Sequence, residues 1–175
     1  MNSRPMSTTG HHWYESERRR TAAVQVGATV IGWIFLLFGV AGFIPVLTPG
    51  FSGISFAGSD TTAELFGVFA VSVLSNIVHL LAGVLGLVMS WMARASRRYL
   101  LIGGALFSLL GLYGLLADAI GTDDLLPANV WTGLLHLALG IAMIALALVL
   151  RTSLPEESEA RGEGDFGETG RGAAR

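Results

Sequence analysis

The residues best equipped for chemistry are two histidines set inside apolar runs. His79 stands in Asn76-Ile77-Val78-His79-Leu80-Leu81-Ala82-Gly83, and His136 in Leu135-His136-Leu137-Ala138-Leu139-Gly140. Each precedes a glycine by four positions, so on a helix the two residues share a face. Polar neighbours recur at helical spacing. Asn76 lies three residues before His79, with Ser72 and Ser75 close by; Thr132 lies four residues before His136, with Asn129 a further turn away. Ser72, Ser75, Asn76, His79, Thr132 and His136 thus make a candidate buried polar seam. Three chemistries suit it. The imidazoles can hydrogen-bond between helices and hold them in register. They can ligate a haem b iron from opposite sides, with Gly83 and Gly140 leaving space for the macrocycle. They can relay protons or line a small-solute path. The expected helix boundaries put His136 nearer the outer surface than His79, which counts against haem.

Other chemistry is excluded or thinly supported. The chain has no Cys, so disulfides, thiolate metal sites and a cysteine nucleophile are ruled out. No G-x-S-x-G, H-E-x-x-H, P-loop or dinucleotide fingerprint occurs. His11 and His12 are adjacent in a polar stretch and do not make a metal site; Asp118, Asp123 and Asp124 suit a solvated connection better than a catalytic cleft. No catalytic residue is therefore assigned and no metal is expected. A net charge of −2 supplies no basic field for nucleic acid.

The elements that must position the histidines are long and apolar. Of 175 residues 52% are apolar and 14% charged, with 23 glycines, well below the roughly 25% charge of soluble domains. Four uncharged runs predict transmembrane helices at about 22–44, 65–92, 99–117 and 129–150. The second is longer than a bilayer requires and implies tilt. Thr61 and Glu64 form a T-x-x-E pattern that predicts a capping box at its start. The first run has no A-x-A-like cleavage site and reads as a retained helix rather than a signal peptide. Burying four such helices without lipid would leave too little polar surface for water. The fold class is all-α integral membrane: a four-transmembrane-helix bundle. Residues 1–21 form a polar N-terminal tail, and 151–175, almost without apolar side chains, a disordered C-terminal one.

Every basic residue is Arg, and their placement is one-sided. Arg18, Arg19 and Arg20 precede the first helix, Arg94, Arg97 and Arg98 separate the second and third, and Arg151 closes the fourth. The connections 45–64 and 118–128 contain no basic residue but carry five acids. The positive-inside rule places both termini and the 94–98 loop in the cytoplasm. Trp91 and Tyr99 then fall at the inner interface and Trp131 near the outer one.

The two halves resemble each other. Leu37-Phe38-Gly39-Val40-Ala41-Gly42-Phe43 matches Leu109-Leu110-Gly111-Leu112-Tyr113-Gly114-Leu115 in its G-x-x-G spacing, and the two His-to-Gly segments follow in the same order. This predicts two related helix pairs about a pseudo-two-fold axis along the membrane normal. Gly39, Gly42, Gly83, Gly86, Gly111, Gly114 and Gly140 are read as helix-packing glycines that let backbones approach closely.

The block from Phe56 through Ala63-Glu64-Leu65-Phe66-Gly67-Val68-Phe69 to Ser75-Asn76-Ile77-Val78-His79-Leu80-Leu81-Ala82-Gly83-Val84, together with Leu135 to Met143, resembles a bacterial, mostly actinobacterial, membrane family known as domain of unknown function 4383. The resemblance covers about residues 22–150, and its most specific part is N-x-x-H-L-x-x-G. It implies a small four-helix membrane protein and supplies no activity. Family members often carry a polar residue, a His and an Asn where this chain has Ala70, Ser75 and Gly133, which thins any cofactor site those positions would form. The expectation is an uncharacterised multi-pass protein of the bacterial plasma (inner) membrane, non-enzymatic, structural or partner-binding. Its partners are the lipid bilayer, other membrane proteins or a second copy, and it needs no cofactor. The alternative is a small haem-binding redox protein using His79 and His136; a solute or proton pathway is third.

Overall fold

The computed structural model describes residues 9–58, 60–120 and 129–150, with side chains over 23–58, 60–117 and 129–150. It contains four helices, α1 (Thr9–Ala41), α2 (Val73–Met89), α3 (Ala93–Ile120) and α4 (Val130–Val149), and a small hairpin of β1 (Glu64–Leu65) and β2 (Phe69–Ala70). Stretches long and apolar enough to cross a membrane lie at Ala23–Ala41, Ala93–Ala117 and Val130–Val149, while α2, also apolar, has 17 residues.

Three boundaries differ from expectation. Helix α2 starts at Val73 rather than residue 65, because residues 64–70 are spent on the hairpin. Phe66 and Gly67 at its tip have φ of 57° and 68°, left-handed values that a helix cannot contain. The capping box is made by Ser72 and Ser75, each side chain bonding the other's backbone N–H. Thr61 does not cap a helix; its hydroxyl donates to the Val71 carbonyl, and Glu64 lies in β1. Helix α1 begins at Thr9, so much of the expected polar tail is helical. Arg94, Arg97 and Arg98 lie on the first turns of α3 and not in a loop. Arg151, Asp123, Asp124 and the 151–175 tail lie outside the described residues, as do the side chains of Arg18, Arg19 and Arg20.

Residues 42–72 form a folded cap over one end of the bundle. Its ladder includes Glu64 N–H to Pro49 O, Phe66 N–H to Leu47 O and Val73 N–H to Ser55 O. Ala63, Leu65 and Val71 are buried beneath it against Phe38, Leu47 and Ile54. A second, larger core joins α1, α3 and α4 through Val24, Phe35, Leu100, Phe107 and Met143.

Helix α1 packs chiefly on α2 and α3 on α4, and glycines set both crossings. A Cβ on Gly32 would sit 3.0 Å from the Gly83 carbonyl, and one on Gly104 would sit 2.8 Å from the Gly140 carbonyl. Gly39 meets Asn76 O and Leu80 N; Gly111 meets Gly133 O and Leu137 N. Gly83 rests on Gly32 O and Leu36 N, and Gly140 on Gly104 O and Ser108 N. These contacts of the first crossing reappear in the second, shifted by 72 positions on the first helix of each pair and by 57 on the second. Gly86 lies against Gly32 and the Tyr99 ring, and Gly42 against the Asn76 amide; Gly114 is buried. Gly32 and Gly104, which complete the set, are the next glycines before Gly39 and Gly111, one heptad earlier on their helices.

Among the described side chains, all four helices expose apolar residues. Val26, Val30, Trp33, Leu37 and Val40 form a stripe on α1, and Leu81, Leu85, Ile102, Leu106, Leu134 and Ile141 are exposed on the others. Trp91 and Trp131 are exposed, whereas Tyr99 is buried and donates its hydroxyl proton to the Ala82 carbonyl. At the end opposite the cap, the Gln25 amide donates to Trp91 O and Arg97 Nε to Ala147 O near the α4 terminus. The described arginines and the α4 C-terminus therefore share one end of the bundle.

Candidate functional site

Each helix contributes one ring to a cluster between the two pairs: Phe35 from α1, His79 from α2, Phe107 from α3 and His136 from α4. The imidazoles lie face to face, centroids 5.5 Å apart and planes inclined by 29°. Phe35 and Phe107 approach to 4.4 Å. Phe107 meets His79 at 5.9 Å and His136 at 5.5 Å, both edge-on, an arrangement that suits aromatic quadrupoles. The histidines come level because each stands seven residues after its N-cap, Ser72 for α2 and Asn129 for α4. The expected difference in depth disappears once α2 begins at Val73. Phe35 and Phe107 stand 72 positions apart, the same shift that relates the crossing glycines.

The polar seam is less a network between helices than a set of local bonds. His79 Nδ1–H donates to the Ser75 carbonyl at 2.6 Å, one turn back on its own helix. A carbonyl only accepts, so the neutral ring keeps its hydrogen on Nδ1 and offers Nε2 as an acceptor. Among the described residues His136 makes ring contacts and no hydrogen bond. Ser72 and Ser75 are consumed by the capping box. Asn129 caps α4 through the Thr132 N–H and donates its amide to Val68 O, and the Thr132 hydroxyl points at Ala70 O, 3.4 Å away. Asn76 is 1% exposed, lies on Gly42, and leaves its Nδ2 without a partner.

These groups border a cavity of about 200 Å³ between α2 and α4. Its polar residues are Ser75, Asn76, His79, Thr132 and His136; Phe38, Phe69 and Phe107 supply aromatic wall, and the hairpin closes it at the cap end. Five of the six seam residues thus meet around one space, while Ser72 is absorbed in the cap of α2. Sequence reasoning missed Phe35, Phe107 and the hairpin wall. Phe35 and Phe107 carried a signal, the same 72-position spacing as the glycines; the hairpin carried only the weaker Phe66-Gly67 turn.

The geometry does not fit a bis-histidine haem. Such ligation places a flat macrocycle between two imidazoles that point nitrogen-first at one iron. Here the two rings lie face to face with phenylalanines against both. Gly83 and Gly140, which would have to leave space, are occupied by the backbones of α1 and α3. Among the described residues no group of three His, Cys, Asp or Glu converges on one point either.

Residues 25–149 match the family described as domain of unknown function (DUF4383). The chain belongs to this family. The match covers α1 from residue 25 onward, α2, α3, α4 and the cap between α1 and α2, so in this DUF4383 protein the histidine cluster and its cavity lie inside the family's own domain. No curated protein and no solved structure matches the chain.

Proposed function

We propose that this DUF4383 chain is a multi-pass plasma-membrane protein that binds rather than transforms. Its two related helix pairs meet at the four-ring cluster, and both termini are cytoplasmic. The carrying observation is the cluster itself: one ring from each helix, with His79 and His136 face to face beside a cavity. Supporting the membrane reading, every helix presents apolar side chains outward, a surface that lipid covers without cost and water does not. Supporting the orientation, the arginines at the start of α3 gather with the C-terminal end of α4 at the end opposite the cap. Supporting the repeat, the two glycine crossings and the two His positions correspond residue for residue at fixed shifts. A proton or solute path finds less support, since Phe35 and Phe107 pack directly on the imidazole pair and the cavity lining contains no acid.

The cluster holds the pairs together through ring contact. His136→Phe should therefore keep the thermal unfolding midpoint in detergent near that of the parent, while His136→Ala, which leaves a void, should destabilise by about 2–4 kcal/mol. Equal loss in both variants would sink the ring-contact reading in favour of an essential imidazole hydrogen bond.

A further inference from the structure

The cavity beside the histidines is not isolated. It shares Val78, Phe107 and Leu110 with a second, largely apolar groove of about 470 Å³ that runs between α2 and α3 and ends at Tyr99 and Arg98. The two spaces differ in chemistry. The first is compact and ringed by aromatic side chains, with hydrogen-bonding groups at one place. The second is elongated, bordered by Leu81, Leu85, Ile102 and Leu106, which also face outward. An occupant of both would have a ring-sized polar head and a flexible hydrocarbon tail.

The head can be specified further. An apolar cavity of about 150 Å³ accommodates a benzene ring, so about 200 Å³ suits one substituted ring. Asn76 Nδ2 is a buried donor with no partner, a state that costs free energy unless something accepts from it. His79 Nε2 is left as an acceptor by the bond its Nδ1–H makes, and His136 has a nitrogen of each kind free. A ring carbonyl would accept from Asn76 or His136; a ring hydroxyl would donate to His79. Oxygen functions on an aromatic-sized ring, joined to a long apolar tail, describe an isoprenoid quinone or its quinol. We infer that this protein binds such a lipid, with the head between α2 and α4 and the tail along the α2–α3 groove. The inference rests on the binding role proposed above and gives it a ligand class.

The test uses the full-length protein in nanodiscs of phosphatidylglycerol and phosphatidylethanolamine. An azido-quinone photolabel is applied and competed with decylubiquinone. Saturable labelling of peptides from α2 and α4 is expected. Competition should weaken about tenfold, the scale of one hydrogen bond, in Asn76→Ala and in His136→Phe. Val78→Trp, on an exposed position where the two spaces join, should block it without disturbing the core. Ile141→Trp, exposed on α4 and bordering neither space, should leave it unchanged. Unsaturable labelling spread over the outward faces would overturn the proposal. So would competition indifferent to Asn76→Ala and Val78→Trp but lost in Arg98→Gln, because the groove would then hold a phospholipid anchored by its headgroup. A folded His136→Phe protein that binds as the parent does refutes the quinone site alone; an unfolded one refutes the ring-contact reading beneath it.

Discussion

Gly111 shows how little room the crossing of α3 and α4 leaves. A Cβ there would fall against the Leu137 backbone nitrogen and 2.7 Å from the Gly133 carbonyl. Both neighbours are main chain and cannot swing aside, so Gly111→Ala should destabilise the bundle by about 1–3 kcal/mol, measured as a lowered unfolding midpoint in detergent. Ala105→Leu, on the exposed side of the same helix, should change it by less than about 0.5 kcal/mol. Gly39 is the counterpart of Gly111, with Asn76 O and Leu80 N in the corresponding places, and Gly39→Ala should give a loss of the same order. Gly67 poses a different constraint. Its φ is 68° and nothing lies within 4 Å of a Cβ built on it, so an added side chain meets backbone strain and no steric clash.

At the scale of the element, the ends of α2 and α4 decide where the histidines sit. Ser72→Ala removes half of the capping box that starts α2, and should cost about 0.5–2 kcal/mol. Asn129→Ala removes the α4 cap and also the bond to Val68 O that ties the helix to the hairpin. It should therefore cost more than Ser72→Ala, a ranking that paired denaturation curves would check. These ends also mark what the sequence could and could not disclose. Hydropathy was enough to find four apolar helices, and the His-x-x-x-Gly pattern was enough to pair His79 with His136, since both signals are local and periodic. The hairpin was hidden because Leu65, Phe66, Val68, Phe69 and Val71 read as one apolar run continuous with α2. Only the left-handed Phe66–Gly67 turn and the pairing of β1 with β2 break that run. The seam was legible as a list of residues but not as a pattern of bonds. Whether Ser75 caps a helix or meets a histidine across an interface depends on where α2 begins, and hydropathy leaves that uncertain by several residues.

For the whole molecule, the lack of any Cys makes orientation easy to measure, because a single introduced thiol reports its own side of the membrane. Asp60→Cys, exposed in the cap, should react with an impermeant maleimide added to intact cells. Arg94→Cys, exposed at the start of α3, should react only after lysis, and the reverse result would invert the proposed topology. One further property follows from the 17-residue length of α2 beside a 25-residue apolar stretch in α3. At 1.5 Å per residue α2 is about 25 Å long, short of a hydrocarbon layer of about 30 Å. Lipids next to it border a low wall, whereas those next to α3 border a tall one. The exposed Phe66 and Val68 of the hairpin stand above that low wall and extend its apolar height with rigid turn instead of helix. In a bilayer, lipid on the two flanks would therefore meet apolar walls of unequal height. Reconstituted in bilayers of graded acyl length, its unfolding midpoint should peak at an intermediate length and fall on both sides, since thin bilayers mismatch α3 and thick ones mismatch α2.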